Sequence, residues 1–193
     1  MESHLLANLY RLRYIDRWSL MRNIMKENVA EHSFNVSLIT HSLCSIANEV
    51  FHKNINTERA VTLSLFHDVT EVFTGDIPTP VKHHNRDILK NFRDIEKLAA
   101  ERLVNQAPEA LKHVYKSVID EKQEVELSRF IKAADLLDAY LKCLTELTAG
   151  NREFTVAKTQ IEEKISELDM PEVEYFLSHF APSFEKTLDE ISE

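Results

Sequence analysis

His67-Asp68 interrupts a strongly apolar stretch, Leu-Ser-Leu-Phe-His-Asp-Val-Thr-Glu-Val-Phe. Charge in such a segment needs a partner when buried, and an imidazole beside a carboxylate is a ready pair of ligands for a divalent ion. At about 100° per residue on a helix, position 71 shares the face of position 67 and position 68 lies beside it. His67, Asp68 and Glu71 are therefore predicted to converge on one small volume. A solvent-facing pair on a helix surface is the competing explanation. His32 shares the stripe of Val36, Ile39, Leu43 and Ile46, where a lone histidine is more commonly a hydrogen-bonded core residue than a ligand. His41 then points the opposite way. Asp135, in Phe-Ile-Lys-Ala-Ala-Asp-Leu-Leu-Asp-Ala-Tyr-Leu, is another carboxylate at an apolar position. Asp138 competes with it, although Lys142 offers Asp138 a surface ion pair and Lys132 offers Asp135 the same. The tandem His83-His84 is a second candidate metal pair.

Two imidazoles and two carboxylates suit a borderline divalent ion such as Mn2+, Co2+, Fe2+ or Zn2+. Such an ion lowers the pKa of bound water and neutralises charge developing on a phosphoryl oxygen, so phosphate-ester hydrolysis is the chemistry these residues suggest. Arg17-Trp18 precedes His32 in a segment where no helical stripe needs either residue. Arginine presents a planar fork matched to phosphate, and tryptophan a flat face for a sugar or base. A core-plugging Trp beside a surface Arg explains the pair equally simply, and Arg22 is an alternative phosphate partner.

The elements that must position these residues are helical. Leu5, Leu9, Leu12 and Ile15 mark a first amphipathic helix, followed by a polar connection from Asp16 to about Asn28. A second helix spans about Val29 to Phe51. A third begins near the N-cap candidates Asn56 and Thr57 and ends at Gly75, carrying His67, Asp68 and Glu71. Asp76-Ile-Pro-Thr-Pro is predicted to be a rigid loop, because Pro78 and Pro80 hold Ile77 and Thr79 extended. Further helices are expected at about 86–106, 108–118, 124–149, 153–168 and 171–180. The result is an all-α fold in a single domain.

Composition narrows the function. The 193 residues suffice for one well-buried core, and only Gly75 and Gly150 occur, which leaves little material for hairpins or glycine-rich phosphate loops. A formal net charge of −9 speaks against binding nucleic acid or an anionic membrane. A small anionic substrate would have to be captured by local positive charge. Cys44 and Cys143 lie inside apolar helical patterns and read as reduced core residues; with no signal peptide and no run near the ~20 apolar residues of a membrane span, a cytoplasmic protein is expected.

The order His32, His67-Asp68, Asp135 resembles the H…HD…D pattern of the HD-domain phosphohydrolases. Ile-Asp-Arg-Trp-Ser-Leu-Met-Arg-Asn, Glu-Asn-Val-Ala-Glu-His-Ser, His-Asp-Val-Thr-Glu-Val-Phe-Thr-Gly-Asp-Ile-Pro-Thr-Pro-Val-Lys and Lys-Ala-Ala-Asp-Leu-Leu-Asp-Ala-Tyr-Leu-Lys-Cys-Leu further resemble the bacterial 5′-deoxynucleotidases of that superfamily. Pro-Ser-Phe-Glu-Lys-Thr-Leu-Asp-Glu-Ile-Ser extends the likeness to the C-terminus, with no departure at the motif positions. The resemblance implies an HD-domain fold over 1–193, with a metal-binding core at about 29–149. It implies a homodimeric enzyme that removes phosphate from deoxyribonucleoside 5′-monophosphates and depends on one divalent ion such as Co2+ or Mn2+. Carried over by motif, His32, His67, Asp68 and Asp135 would be the ligands and would lie against the bound substrate. Glu71 would polarise the attacking water or handle its proton, Arg17 would orient the phosphate, and Trp18 would lie against the nucleoside. Asp76, Ile77, Pro78 and Thr79 would line the substrate pocket, with Asp76 accepting the 3′-hydroxyl. Either Glu71 or Asp76 would serve the leaving oxygen.

Two rivals remain at this point. Another HD enzyme acting on a triphosphate, cyclic or diester substrate is disfavoured by the few basic residues near the motifs in sequence. A non-catalytic nucleotide-binding protein should lack a ligand or Glu71, and none is missing.

Overall fold

Asn28 starts the central helix. Its side chain accepts hydrogen bonds from the backbone N–H groups of Ala30 and Glu31, while the Glu31 carboxylate accepts from the N–H of Asn28. This reciprocal cap stabilises the helix by about 1 kcal/mol and fixes where the following turn begins. The computed structural model describes residues 2–82, 84–119 and 124–192, leaving aside the side chains of Thr79 and Pro80. Among these residues the ordered elements are helical, with a single isolated antiparallel bridge between Asp16 and Asn28.

The helices are α1 (Leu5–Leu9), α2 (Val29–Glu49), α3 (Thr57–Leu65), α4 (Glu71–Thr74), α5 (Thr79–Lys82), α6 (Arg86–Gln106), α7 (Lys112–Ile119), α8 (Val125–Thr148), α9 (Thr155–Ser166), α10 (Pro171–His179) and α11 (Leu188–Ile191). The larger core joins α2 and α8, with Val36, Leu43, Ala134 and Leu137 fully buried beside Leu63 of α3 and Phe154. A second cluster gathers Leu5, Leu12, Val29, Val69 and Leu103 around the N-terminal segment and α6. His32 lies in the first turns of α2, three residues beyond Val29 of the second cluster and four before Val36 of the first.

Three expectations need correction. The third helix does not run unbroken to Gly75. It ends at Leu65, residues 66–70 form turns, and α4 starts at Glu71. The break has a local cause: Nδ1 of His67 donates to the carbonyl of Ser64 at 2.7 Å, taking the acceptor that a continuing helix would offer to residue 68. The Pro-rich loop is also shorter than expected, because Thr79 opens α5. Pro78 supplies a carbonyl to the N–H groups of Val81 and Lys82, and Pro80 falls in a first turn, where its missing N–H costs nothing. Finally, the N-terminal helix tightens after Leu9 into a 3-10 turn over Tyr10–Tyr14, which still buries Leu5 and Leu12. The short α11 was not expected from the pattern. Cys44 and Cys143 are free and buried, and among the described residues no helix is long and apolar enough to cross a membrane.

Candidate metal centre

α2 supplies His32, the 66–70 turn supplies His67 and Asp68, and α8 supplies Asp135. The Nε2 atoms of His32 and His67 face each other at 3.2 Å. Asp68 Oδ2 lies 3.1 Å from the His67 nitrogen and 3.4 Å from that of His32, and Asp135 Oδ1 is 3.3 Å from His32 Nε2. His32 is fully buried and Asp135 half-exposed.

The outer nitrogens of both rings are already committed. Nδ1 of His32 donates to Asp138 Oδ2 at 2.7 Å, and Nδ1 of His67 to the Ser64 carbonyl. Both partners are pure acceptors, so each ring in its neutral form turns an Nε2 lone pair toward the other, and without an ion a proton on His32 can fill that place. Two lone pairs and two carboxylates pointed at one another require a positive charge between them. Burial would lower the pKa of His32, yet its contacts with Asp135, Asp138 and Asp68 outweigh that and hold it well above the ordinary imidazole range. The donor set fits a divalent ion: the 3.2 Å nitrogen spacing suits two imidazoles each about 2.0–2.1 Å from a common centre. His32, His67 and Asp135 each offer a ligand atom within 4.8 Å of the others.

Arg17 lies alongside. Its Nε is 2.7 Å from Glu27 Oε1 and an Nη is 3.9 Å from Asp68 Oδ2, with only 11% of the side chain exposed. Burial disfavours its charge, but Asp135, Glu27, Asp68 and Asp138 outweigh that and keep it firmly protonated. Glu71 is largely buried, and its Oε2 has no hydrogen-bond partner. Burial first, then the negative charges of Asp68 and Asp76, push its carboxyl up to about 9. With no cation beside it the carboxyl keeps its proton at neutral pH, and a cation held among the neighbouring donors would lower it toward the range in which a carboxylate can accept one.

Residues 4–184 match the model of the "5'-deoxynucleotidase YfbR-like" family. This chain belongs to that family. It is 47% identical over 193 residues to a 5′-deoxynucleotidase of Enterobacter sp. strain 638, covering 100% of this chain and 97% of that one. The same identity and coverage hold for the 5′-deoxynucleotidase YfbR of Escherichia coli O127:H6. The YfbR-like chain has the fold of an HD-domain phosphohydrolase from Listeria innocua, at a TM-score of 0.81 and 23% identity, covering 93% of this chain and 87% of that one. The cyanophage S-2L HD phosphohydrolase DatZ shares the fold at a TM-score of 0.67 and 19% identity, covering 94% and 96%; its structure holds dA and one catalytic Zn2+ ion.

In this YfbR-like chain Trp18 has a left-handed backbone, φ 56°, and its ring packs 5.3 Å from that of Phe154. Its backbone N–H faces the carboxylate of Asp76. Asp76, Ile77 and Pro78 are all partly buried between α4 and α5; the side chain of Thr79 lies outside the described residues. His83 of the tandem pair also lies outside them, and His41 is exposed as expected.

Sequence reasoning misplaced two residues and missed others. Asp138 is no surface partner of Lys142: it is buried and holds His32, while Lys142 is itself buried and pairs with Glu146 at 2.5 Å. Three residues separate Asp135 from Asp138, so both face α2, one presenting its oxygen to Nε2 of His32 and the other to Nδ1. Arg22 lies away from the centre, its side chain 92% exposed and paired with Glu153 at 2.6 Å. Glu27 was missed altogether; it lies in the polar connection between Asp16 and Asn28, which carries no periodic signal. The scarcity of basic residues near the motifs also fails in space. His67, Asp68, Glu71 and Asp135 border a cleft of about 1160 Å3 whose other walls include Lys82, Arg93, Lys97, Lys112, Lys116 and Lys132. Glu96 and Glu101 share these walls, with Lys82 paired to Glu96 at 2.5 Å and Lys112 to Glu109 at 2.8 Å, so the positive charge on offer to a phosphate there is that of Arg93, Lys97, Lys116 and Lys132.

Proposed function

We propose that this protein is a metal-dependent phosphomonoesterase that hydrolyses deoxyribonucleoside 5′-monophosphates to the deoxyribonucleoside and inorganic phosphate. The facing Nε2 atoms of His32 and His67, each ring fixed from behind and flanked by Asp68 and Asp135, carry the reading in a chain of this family. These four residues would hold one divalent ion, with borderline donors favouring Co2+ or Mn2+. When bound, the ion supplies an acidified water and charge neutralisation at the phosphoryl oxygens.

The remaining steps belong to the protein's own groups. Arg17 binds the phosphate and sets it in line for attack. Glu71 takes the proton of the attacking water as the new phosphorus–oxygen bond forms; the bond to the 5′-oxygen breaks, and Glu71 or Asp76 returns a proton to that oxygen. Trp18 lies against the nucleoside, and Asp76, Ile77, Pro78 and Thr79 line the pocket, Asp76 accepting the 3′-hydroxyl. The functional unit is the single domain 1–193 with its metal-binding core at about 29–149, acting in the cytoplasm as a homodimer.

The test is phosphate release from a panel of deoxy- and ribonucleoside 5′-monophosphates by metal-stripped protein to which single divalent ions are returned. Ion-dependent release from the deoxy series, with nucleoside as the other product, is expected. Release of pyrophosphate or tripolyphosphate from a triphosphate, in preference to that activity, would instead favour the triphosphohydrolase reading to which the basic cleft walls lend support.

Two substitutions refine the assignment. Trp18→Ala should raise activity on ribonucleotides relative to deoxyribonucleotides; unchanged discrimination removes Trp18 from sugar selection. Asp138→Asn, which withdraws the charge behind His32, should weaken ion affinity by about 10–100-fold. Calorimetric titration of the stripped protein measures this, and wild-type affinity would show that the Asp138 contact serves packing alone.

A further inference from the structure

Glu27 is a buried carboxylate in a loop, outside the ligand cluster, and 11% of its side chain is exposed. Burial raises its pKa, and although the Arg17 charge pulls it back the net direction is upward, with Asp138 adding to the rise, so an acidic side chain is a costly occupant of this position. What it faces gives it a role. Its Oε1 sits 2.7 Å from Nε of Arg17, while an Nη of the same guanidinium is 3.9 Å from Asp68 Oδ2. Arg17 thus lies between two sets of carboxylates: Glu27 on one edge, Asp68 and Asp135 on the other.

Without Glu27 the guanidinium would be drawn onto Asp68 and Asp135, where it would occupy the space and charge of the ion. The backbone supports the same placement. The N–H of Arg17 donates to the carbonyl of Glu27 at 2.9 Å, and that of Val29 to Ile15 at 3.0 Å, closing the neck of the 16–28 loop. Glu27 also lies with His32 and Asp138 in a second group of closely spaced donors, but Nδ1 of His32 is already given to Asp138, so this trio is not a further ion site.

We infer that Glu27 is a positioning residue that holds Arg17 in reach of the substrate phosphate and away from the carboxylates of the ligand cluster. This rests on the role assigned to Arg17 under the proposed function.

The closing experiment is a double-mutant cycle on the full chain with Arg17→Ala, Glu27→Gln and the pair, read in two ways. Binding of dAMP to metal-free protein is followed by the fluorescence of Trp18, the chain's one tryptophan. Phosphate release is measured with Co2+ restored. Glu27→Gln keeps the volume and removes the charge of a close ion pair, and is expected to weaken dAMP binding by roughly tenfold and to raise KM more than it lowers kcat. Glu27→Asp, which keeps the charge, should recover part of the loss. In the Arg17→Ala background Glu27→Gln should have almost no further effect, whereas a merely structural role would give additive losses. Additive losses, or wild-type binding and KM in Glu27→Gln while Arg17→Ala is impaired, overturn the positioning role. Unimpaired Arg17→Ala would overturn the assignment of Arg17 itself and, with it, this inference.

Discussion

Glu71→Ala is expected to lower kcat by about 10²–10⁴-fold, the usual worth of a positioned general acid or base, with ion affinity retained and thermal stability unchanged or improved. The combination follows from the environment of the side chain. Oε2 is buried without a hydrogen-bond partner, and the carboxyl sits in the negative field of Asp68 and Asp76 that helps push it up to about 9. Such a group strains the fold, so removing it relieves repulsion while deleting a reactive function. Steady-state phosphate release and a thermal melt of the same variant provide the comparison. A kcat within tenfold of wild type would remove Glu71 from proton transfer and leave Asp76 as the group to examine.

Glu146→Ala is expected to destabilise the protein by about 3–5 kcal/mol, the cost of breaking a buried ion pair from one side. Glu146 is 1% exposed and receives hydrogen bonds from the N–H groups of Ile24 and Met25, from Nδ2 of Asn151 and from Nζ of Lys142. Alanine would leave the buried Lys142 ammonium with the Met25 carbonyl and no countercharge, and would free two backbone donors of the 16–28 loop. Burial works against the Glu146 charge, but these bonds outweigh it and hold the carboxyl down at about 2, against an ordinary 4.5. A depressed carboxylate contributes stability that is complete above the unfolded value and disappears as pH falls through the folded one. Wild-type stability should therefore decline between about pH 4.5 and pH 2 more steeply than that of Glu146→Gln, by up to about 3 kcal/mol over the interval. Urea titrations across this range measure the difference, and coincident pH profiles for the two proteins would show that Glu146 contributes nothing through its charge.

The helices were readable because their signals are local. Asn28, Asn56 and Pro171 start helices, the stripe from Val36 to Ile46 faces inward as its period requires, and the 86–106 helix keeps its expected bounds. The break at 66–70 escaped the pattern because a side chain caused it: the apolar period continues through Phe66 and Val69 while the His67 imidazole takes the Ser64 carbonyl. His67, Asp68 and Glu71 do approach one another, through turns rather than along one helix face. The ligand candidates were visible as polar residues in apolar positions, but periodicity left Asp135 and Asp138 open and only the motif resemblance favoured Asp135; that both carboxylates meet the same imidazole from different sides needed three dimensions. The packing of Glu27 against Arg17 depends on a loop neck, and loops carry no period from which such a contact could be read.

The 16–28 loop shows what this fastening achieves. Its neck is closed by main-chain bonds, its tip is gripped by Glu146, and Nδ2 of Asn151 donates to the carbonyl of Arg22. A segment bearing Arg17 and Trp18 on a free tether would lose conformational freedom each time a ligand arrived, at a cost in affinity for every side chain immobilised. Here that ordering entropy is lost once, during folding, so a nucleotide bound in the proposed manner would meet a guanidinium and an indole whose places are already set.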